Sequence, residues 1–94
     1  MEQRLITGIV DASGNPKVSA DDFTSCRLKE GVYVVEFKQP LPYTAVPVAT
    51  VMGRGWKTFN MSIAILDVTP SNIVVATSNS NQTVDCDFSF LIAF

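Results

Sequence analysis

The sequence predicts an all-β fold, a small antiparallel β-sandwich of about six to eight strands, in a single domain that spans residues 1–94. Apolar and polar residues alternate almost perfectly over residues 84–94, as in a strand with one buried face. Short apolar runs recur between clusters of turn-forming residues, with turns about every eight to twelve residues. An apolar period of about 3.6 residues, which would indicate a helix, never persists beyond one turn.

The first half of the chain predicts three strands. Residues 4–10 are apolar and β-branched, and residues 11–16 are dense in turn formers. Residues 23–28 predict the second strand, and residues 29–31 a short turn whose glycine takes a positive φ. The third strand, Val32–Phe37, alternates so that its aromatic residues share one face.

The second half opens with prolines that interrupt strand pairing, so residues 38–45 are predicted to form a loop that crosses between sheets. The crossover favours a sandwich over a barrel, with inward faces filling the space between two sheets. The remaining expectations are strands at 46–52, from 57 onward, at 73–77 and at 84–94, with turns at 53–56, 67–72 and 78–82.

Composition limits the class of partner. Apolar residues make up 47% of the chain and charged residues 17%, which suits a globular domain. The basic residues do not cluster, so nucleic acid is not an expected partner, and no apolar run approaches the length of a membrane helix. Residues 1–4 lack the basic start and apolar stretch of a signal peptide, so localisation stays unknown. The low charge and the aromatic content favour burial of some surface by other copies or chains, and the alternative is an ordinary polar surface of Ser, Thr and Asn.

Catalysis and metal binding are not expected. The chain has no histidine, which removes His-based triads and His-zinc sites, and no serine has a recognisable base. No cofactor is expected either. Cys26 and Cys86 can pair, but two cysteines without a signal peptide favour the reduced form. Cys86 lies on the apolar face of its strand, where a thiol behaves as a small hydrophobe.

A family resemblance covers roughly residues 31–94. Residues 31–37 form a strand that ends in Phe, followed by Pro40 and then Pro47-Val48, which opens the next strand. Residues 63–70 and 73–75 follow as strand, turn and strand, and an alternating strand closes the pattern. This arrangement resembles the H-type lectin domain of snail and slime-mould agglutinins, and the small β domains at the tips of phage tail fibres.

The resemblance implies a small antiparallel sandwich that assembles as a homotrimer and binds terminal sugars at subunit interfaces. It also implies an extracellular or virion-associated setting. The lectins contact sugar through a histidine, an arginine and a tryptophan in their second half. This chain has no histidine, places Ala64 where the arginine would align, and has no tryptophan after Trp56. None of the family's binding residues is therefore transferred.

The candidate ligand-binding residues come from local chemistry. Residues 53–57 combine Arg54 and Trp56 with two glycines, and an aromatic face beside a forked donor suits a sugar. The alternative, which is favoured, is that Trp56 caps the sandwich or packs in a subunit contact. Tyr43 can stack on a ligand, although packing beneath its own loop is favoured.

Asp85 and Asp87 flank Cys86 on the polar face of the terminal strand. Two carboxylates at this spacing can bind a cation or act as an acid–base pair. A solvated face is the favoured interpretation, in which the pair also discourages edge-to-edge pairing.

Two functions remain open. The first is a homotrimeric recognition module that binds surface carbohydrate through its end loops. The second is a structural trimerisation or assembly domain of a fibre or appendage, with no small-molecule ligand. Low charge and apolar residues on both faces of residues 91–94 support association in either case.

Overall fold

Two antiparallel sheets form the molecule. The computed structural model describes residues 4–17, 22–52 and 60–94, and these residues contain seven strands and no helix. Sheet A has the order β1-β7-β4, and sheet B the order β2-β3-β6-β5. The all-β sandwich prediction is therefore confirmed. The strands are β1 Leu5–Val10, β2 Phe23–Lys29, β3 Val32–Phe37, β4 Val46–Met52, β5 Ser62–Val68, β6 Asn72–Ser78 and β7 Asp87–Ala93.

Strand β7 is the centre of sheet A. It pairs with β1 on one side and with β4 on the other, so that Ala93 faces both Leu5 and Val46 across the ladders. Its apolar side chains Phe88, Phe90 and Ile92 are buried. This confirms that the strand lies in the core, and it corrects the idea that its aspartates protect an exposed edge.

Sheet B consists of two hairpins that pair with each other. Strands β2 and β3 form a hairpin, β5 and β6 form another, and β3 pairs with β6 between them. Gly31 in the first hairpin has a φ of +76°, which confirms the predicted positive φ. The segment 38–45 leaves β3 in sheet B and enters β4 in sheet A, as its prolines predicted.

The core fills the space between the sheets. The rings of Phe23 and Phe90 meet edge to face with centroids 4.9 Å apart. Gly8 lies beneath them, because a Cβ at this position would come within 2.7 Å of both rings. The buried cluster comprises Ile6, Val10, Phe23, Tyr33, Val35, Leu41, Ile73, Val75, Phe88, Phe90 and Ile92.

The starting residues of β5 and β7 differ most from the sequence prediction, and the other strand ends differ by at most two residues. Strand β7 begins at Asp87, because residues 84–86 are held by contacts outside the ladder. There the Val84 N–H donates to the Thr77 carbonyl at 3.1 Å, and the Thr77 hydroxyl donates to the Val84 carbonyl at 2.6 Å. Strand β5 begins at Ser62, and the part of the predicted strand at residues 57–59 lies outside the described residues.

Candidate functional site

The register of β4 decides which loops lie near one another. Its first residue, Val46, pairs with Ala93, and its last, Met52, pairs with Asp87. These seven residues span about 20 Å, so Val46 and the residues just before it lie at one end of the sandwich and Met52 lies at the other. We call the end with residues 38–45 and 69–72 the Tyr43 end, and the end with residues 11–17, 30–31 and 79–86 the Asp85 end.

Tyr43 is an exposed aromatic side chain at the first of these ends. It is 92% exposed, so the expectation that it packs beneath its own loop is wrong. The reason is that Leu41 fills that position instead: Leu41 is buried, and its N–H donates to the Pro70 carbonyl at 2.8 Å. A small cleft of about 30 Å³ lies at the base of the tyrosine, lined by Phe37, Leu41, Pro42, Ala45, Pro47 and Ile92 among others.

Arg54 and Trp56, the other two predicted ligand-binding residues, lie outside the described residues. The described positions that flank them, Met52 and Asn60, are separated from Tyr43 by the length of β4. Within one molecule, the described residues therefore do not bring Tyr43 next to the strand ends from which residues 53–59 depart.

A second concavity at the Tyr43 end has a cationic rim. It holds about 210 Å³ and is lined by Arg4, Asp22, Lys38, Gln39 and Phe94 among others. The guanidinium carbon of Arg4 lies 5.8 Å from the centre of the Phe94 ring. The backbones of Arg4 and Phe94 exchange hydrogen bonds at 2.6 and 2.9 Å, which extends the β1–β7 ladder and fixes both residues. Sequence analysis missed this groove because its members are far apart in the chain.

Asp85 holds together the opposite end, and it is not part of a solvated face. Its Oδ1 accepts hydrogen bonds from the Arg27 Nε–H at 2.9 Å, the Gly31 N–H at 2.7 Å and the Tyr33 hydroxyl at 3.3 Å. The Arg27 guanidinium holds the pKa of Asp85 below its usual range, while partial burial opposes the shift. Burial in turn raises the pKa of Tyr33. These contacts give the carboxylate a structural role.

Asp87 also binds other residues through its carboxylate, so the solvated-face interpretation is wrong for the second aspartate as well. Its side chain is 28% exposed, and its Oδ2 lies 2.6 Å from the Lys17 Nζ. Its Oδ1 accepts a hydrogen bond from the Ala12 N–H at 2.8 Å. The two carboxylates therefore bind different segments and do not converge on a common ligand.

The described residues contain no cluster of side chains suited to a metal ion. No three His, Cys, Asp or Glu side chains in the described part of the chain are grouped as a metal ion would require. Both cysteines are free: Cys26 is exposed on β2, and Cys86 is buried. Burial raises the pKa of the Cys86 thiol, which reduces the fraction present as the reactive thiolate. No helix within the three described ranges is long and apolar enough to cross a membrane.

The outer face of sheet A is unusually apolar. Its large residues Leu5, Val46, Val48, Met52 and Leu91 are between 38% and 59% exposed. A concavity of about 590 Å³ lies against this sheet. Among the described strand residues of this face, Asp87 is the charged one, and Lys17 pairs with it. The outer face of sheet A comprises Leu5, Thr7 and Ile9 of β1, Asp87, Ser89, Leu91 and Ala93 of β7, and Val46, Val48, Thr50 and Met52 of β4.

Comparisons with known proteins do not assign the chain to a family. No protein-family model matches the chain, and neither the curated proteins nor the solved structures include a significant match. Functional inference therefore relies on the surfaces described above.

Proposed function

We propose that this chain is a non-enzymatic, homotrimeric recognition module that associates through the outer face of sheet A and binds surface carbohydrate through its end loops. We infer the association from the apolar, nearly uncharged character of that face. Sheet B also exposes the apolar residues Leu28, Leu66 and Val68, but Glu36 and Asp67 are exposed on its outer face as well. Sheet A is therefore the better surface for a second copy.

The strength of this association follows from the exposed area. Completing the burial of five half-exposed apolar side chains contributes about 1 kcal/mol each, or about 10 kcal/mol for two facing copies. Association costs about 4–15 kcal/mol in lost freedom of motion. At the lowest cost the net gain is about 6 kcal/mol, so the face supports an assembly that forms at tens of micromolar and above.

Light scattering across a range of protein concentrations tests the assembly. We expect a trimer at tens of micromolar, and a monomer at that concentration would contradict the proposal. Leu91→Glu, which places a charge at the centre of the outer face of sheet A, should give monomers. Leu28→Glu is the control, because Leu28 is also exposed but belongs to β2 in sheet B.

The carbohydrate part of the proposal is supported by Tyr43, whose exposed ring stands beside an apolar cleft. Sugars present C–H faces that stack on aromatic rings, while their hydroxyls bond to nearby polar groups. Arg54 and Trp56 remain candidates on their residue types alone. A glycan array probed with the assembled protein is the direct test, with Tyr43→Ala and Trp56→Ala assayed separately.

An assembly domain without a small ligand is the second candidate, and the same apolar face favours it. An intact trimer that binds no glycan on the array would support this candidate over recognition. Loss of glycan binding in Tyr43→Ala, with the trimer unchanged, would support recognition at the Tyr43 end.

A further inference from the structure

We propose that the groove between Arg4, Lys38 and Phe94 binds the carboxylate of a single acidic sugar ring. The inference deepens the proposed function, since it names the class of carbohydrate. Its basis is a concavity of about 210 Å³ whose lining includes two cations, Arg4 and Lys38, one carboxylate, Asp22, and the apolar residues Leu41 and Phe94. A groove with cationic donors beside apolar surface matches a sugar acid, which has a C–H face and a charged edge.

The first step concerns how the Arg4 guanidinium is held in place. Its main chain is fixed by the two hydrogen bonds to Phe94, and its guanidinium stands over the Phe94 ring at 5.8 Å. Contact with a ring face orients the planar guanidinium while its edge N–H groups stay available. Those N–H groups suit a carboxylate, which accepts two parallel hydrogen bonds from arginine.

The second step concerns charge. The ion pairs found within the described residues are Lys17–Asp87 and Arg27–Asp85. No described carboxylate therefore lies within ion-pair distance of Arg4 or Lys38. The Lys38 N–H donates to the Asp22 carbonyl at 3.0 Å, which fixes the lysine backbone at the rim. The Asp22 carboxylate is a negative charge on the same lining and works against an anion.

The third step concerns size. The volume of the groove is below the range of about 300–1,000 Å³ that is usual for drug-sized ligands. It therefore suits one ring rather than an oligosaccharide. A shallow site of this kind binds with a Kd of about 1 mM, and repetition in a trimer would raise the apparent affinity for a dense surface.

Titrations followed by nuclear magnetic resonance test the proposal with three probes: methyl galacturonide, neutral methyl galactoside, and acetate. We expect the galacturonide to bind at millimolar concentration, and the other two about tenfold more weakly. Equal binding of the neutral galactoside would overturn the role of the carboxylate. Equal binding of acetate would overturn the role of the ring.

Variants locate the site. Arg4→Gln should weaken galacturonide binding about tenfold, and Lys38→Gln about threefold, whereas Asp22→Asn should strengthen it. Lys29→Gln is the matched control, because Lys29 is an exposed cation at the Asp85 end and should have no effect. If Arg4→Gln does not fold, Arg4→Lys retains the charge but loses the fork, and should still weaken binding. Unchanged affinity in the folded Arg4 variant, or an equal loss in Lys29→Gln, would overturn the site.

Failure of this inference is distinguishable from failure of the proposed function. If neutral glycans bind in a way that depends on Tyr43, with no preference for acidic sugars, the acidic-sugar site in the groove is wrong. The proposal of a recognition module would still hold. Absence of binding to both acidic and neutral sugars would overturn both.

Discussion

At the scale of single residues, Asp85 shows how one side chain can join segments that are distant in sequence. It binds the side chain of Arg27 on β2, the backbone of Gly31 in the hairpin, and the hydroxyl of Tyr33 on β3. The Tyr33 hydroxyl has one proton, which it shares between Asp85 and the Ala12 carbonyl; the carbonyl is nearer, at 2.9 Å, and this contact links the first loop to the same group. Partly buried charge-assisted hydrogen bonds of this kind contribute more than exposed ion pairs.

Asp85→Ala should reduce the free energy of unfolding by about 1–3 kcal/mol at neutral pH, because the Gly31 N–H would lose its acceptor. The pKa of Asp85 is lowered from 3.8. The stabilisation is therefore fully present above the ordinary pKa and is lost as the pH falls through the folded pKa. Urea unfolding at pH 7 and pH 3 should show a smaller difference between the variant and the natural chain at pH 3.

The control for this measurement is Asp67→Ala, which removes an exposed carboxylate of β5. It should change stability by less than about 0.5 kcal/mol at either pH. A difference at Asp85 that does not depend on pH would show that packing, rather than charge, explains the loss.

Phe90 and Asp87 test the two faces of β7. Phe90→Ala should cost about 3–5 kcal/mol, because it removes a buried ring that packs on Phe23. Asp87→Asn should cost at most about 1 kcal/mol, because it weakens the ion pair with Lys17 but retains an oxygen for the Ala12 N–H. Denaturant unfolding at fixed protein concentration measures both, and equal losses would contradict the assignment of the faces.

At the scale of elements, the sequence predicted where most strands lie but not what their polar residues contact. The alternation of apolar and polar residues predicted β3 and β7, because side chains on a strand point to opposite faces whatever strand it pairs with. The partners of Asp85 and the exposure of Tyr43 depend on loops that are distant in sequence and approach only in the folded chain. Apolar residues on both faces of residues 91–94 predicted association with other copies, and this stays a prediction.

The hairpin between β2 and β3 depends on Gly31. A Cβ there would lie 2.7 Å from the Thr77 carbonyl oxygen and 2.8 Å from the Val84 nitrogen, and the φ of +76° disfavours other residues. Gly31→Ala should therefore cost at least about 1–2 kcal/mol. Thermal unfolding measures the loss, with Glu30→Ala as the control in the same turn. Equal stability of the two variants would show that the turn can relax.

At the scale of the whole molecule, the sandwich separates two proposed roles onto different surfaces. The outer face of sheet A is proposed for association, and the groove of Arg4 and Lys38 with the exposed Tyr43 ring is proposed for ligands. Assembly through a flat face would leave the Tyr43 ends of several copies available to one glycan-bearing surface. Several weak sites then act together, which can raise apparent affinity by about a hundredfold or more.

Leu91→Glu provides a test of this division. The variant should lose retention on a dense glycan surface by about a hundredfold, while its millimolar binding of a free monosaccharide stays unchanged. Surface plasmon resonance on high- and low-density glycan surfaces measures the first quantity, and titration in solution the second. A parallel loss in both measurements would mean that the face and the ligand site are not separate.

The central position of β7 also has a consequence for the order of folding. Strands β1 and β4 do not pair with each other, so every ladder in sheet A includes β7. Leu5 must find Ala93 across nearly the whole chain, whereas the two hairpins of sheet B join neighbours in sequence. Contacts between distant residues slow folding because the intervening chain must be closed into a loop first. During synthesis, sheet A can form only after residues 87–93 have left the ribosome, and until then the apolar residues of β1 and β4 have no sheet to join.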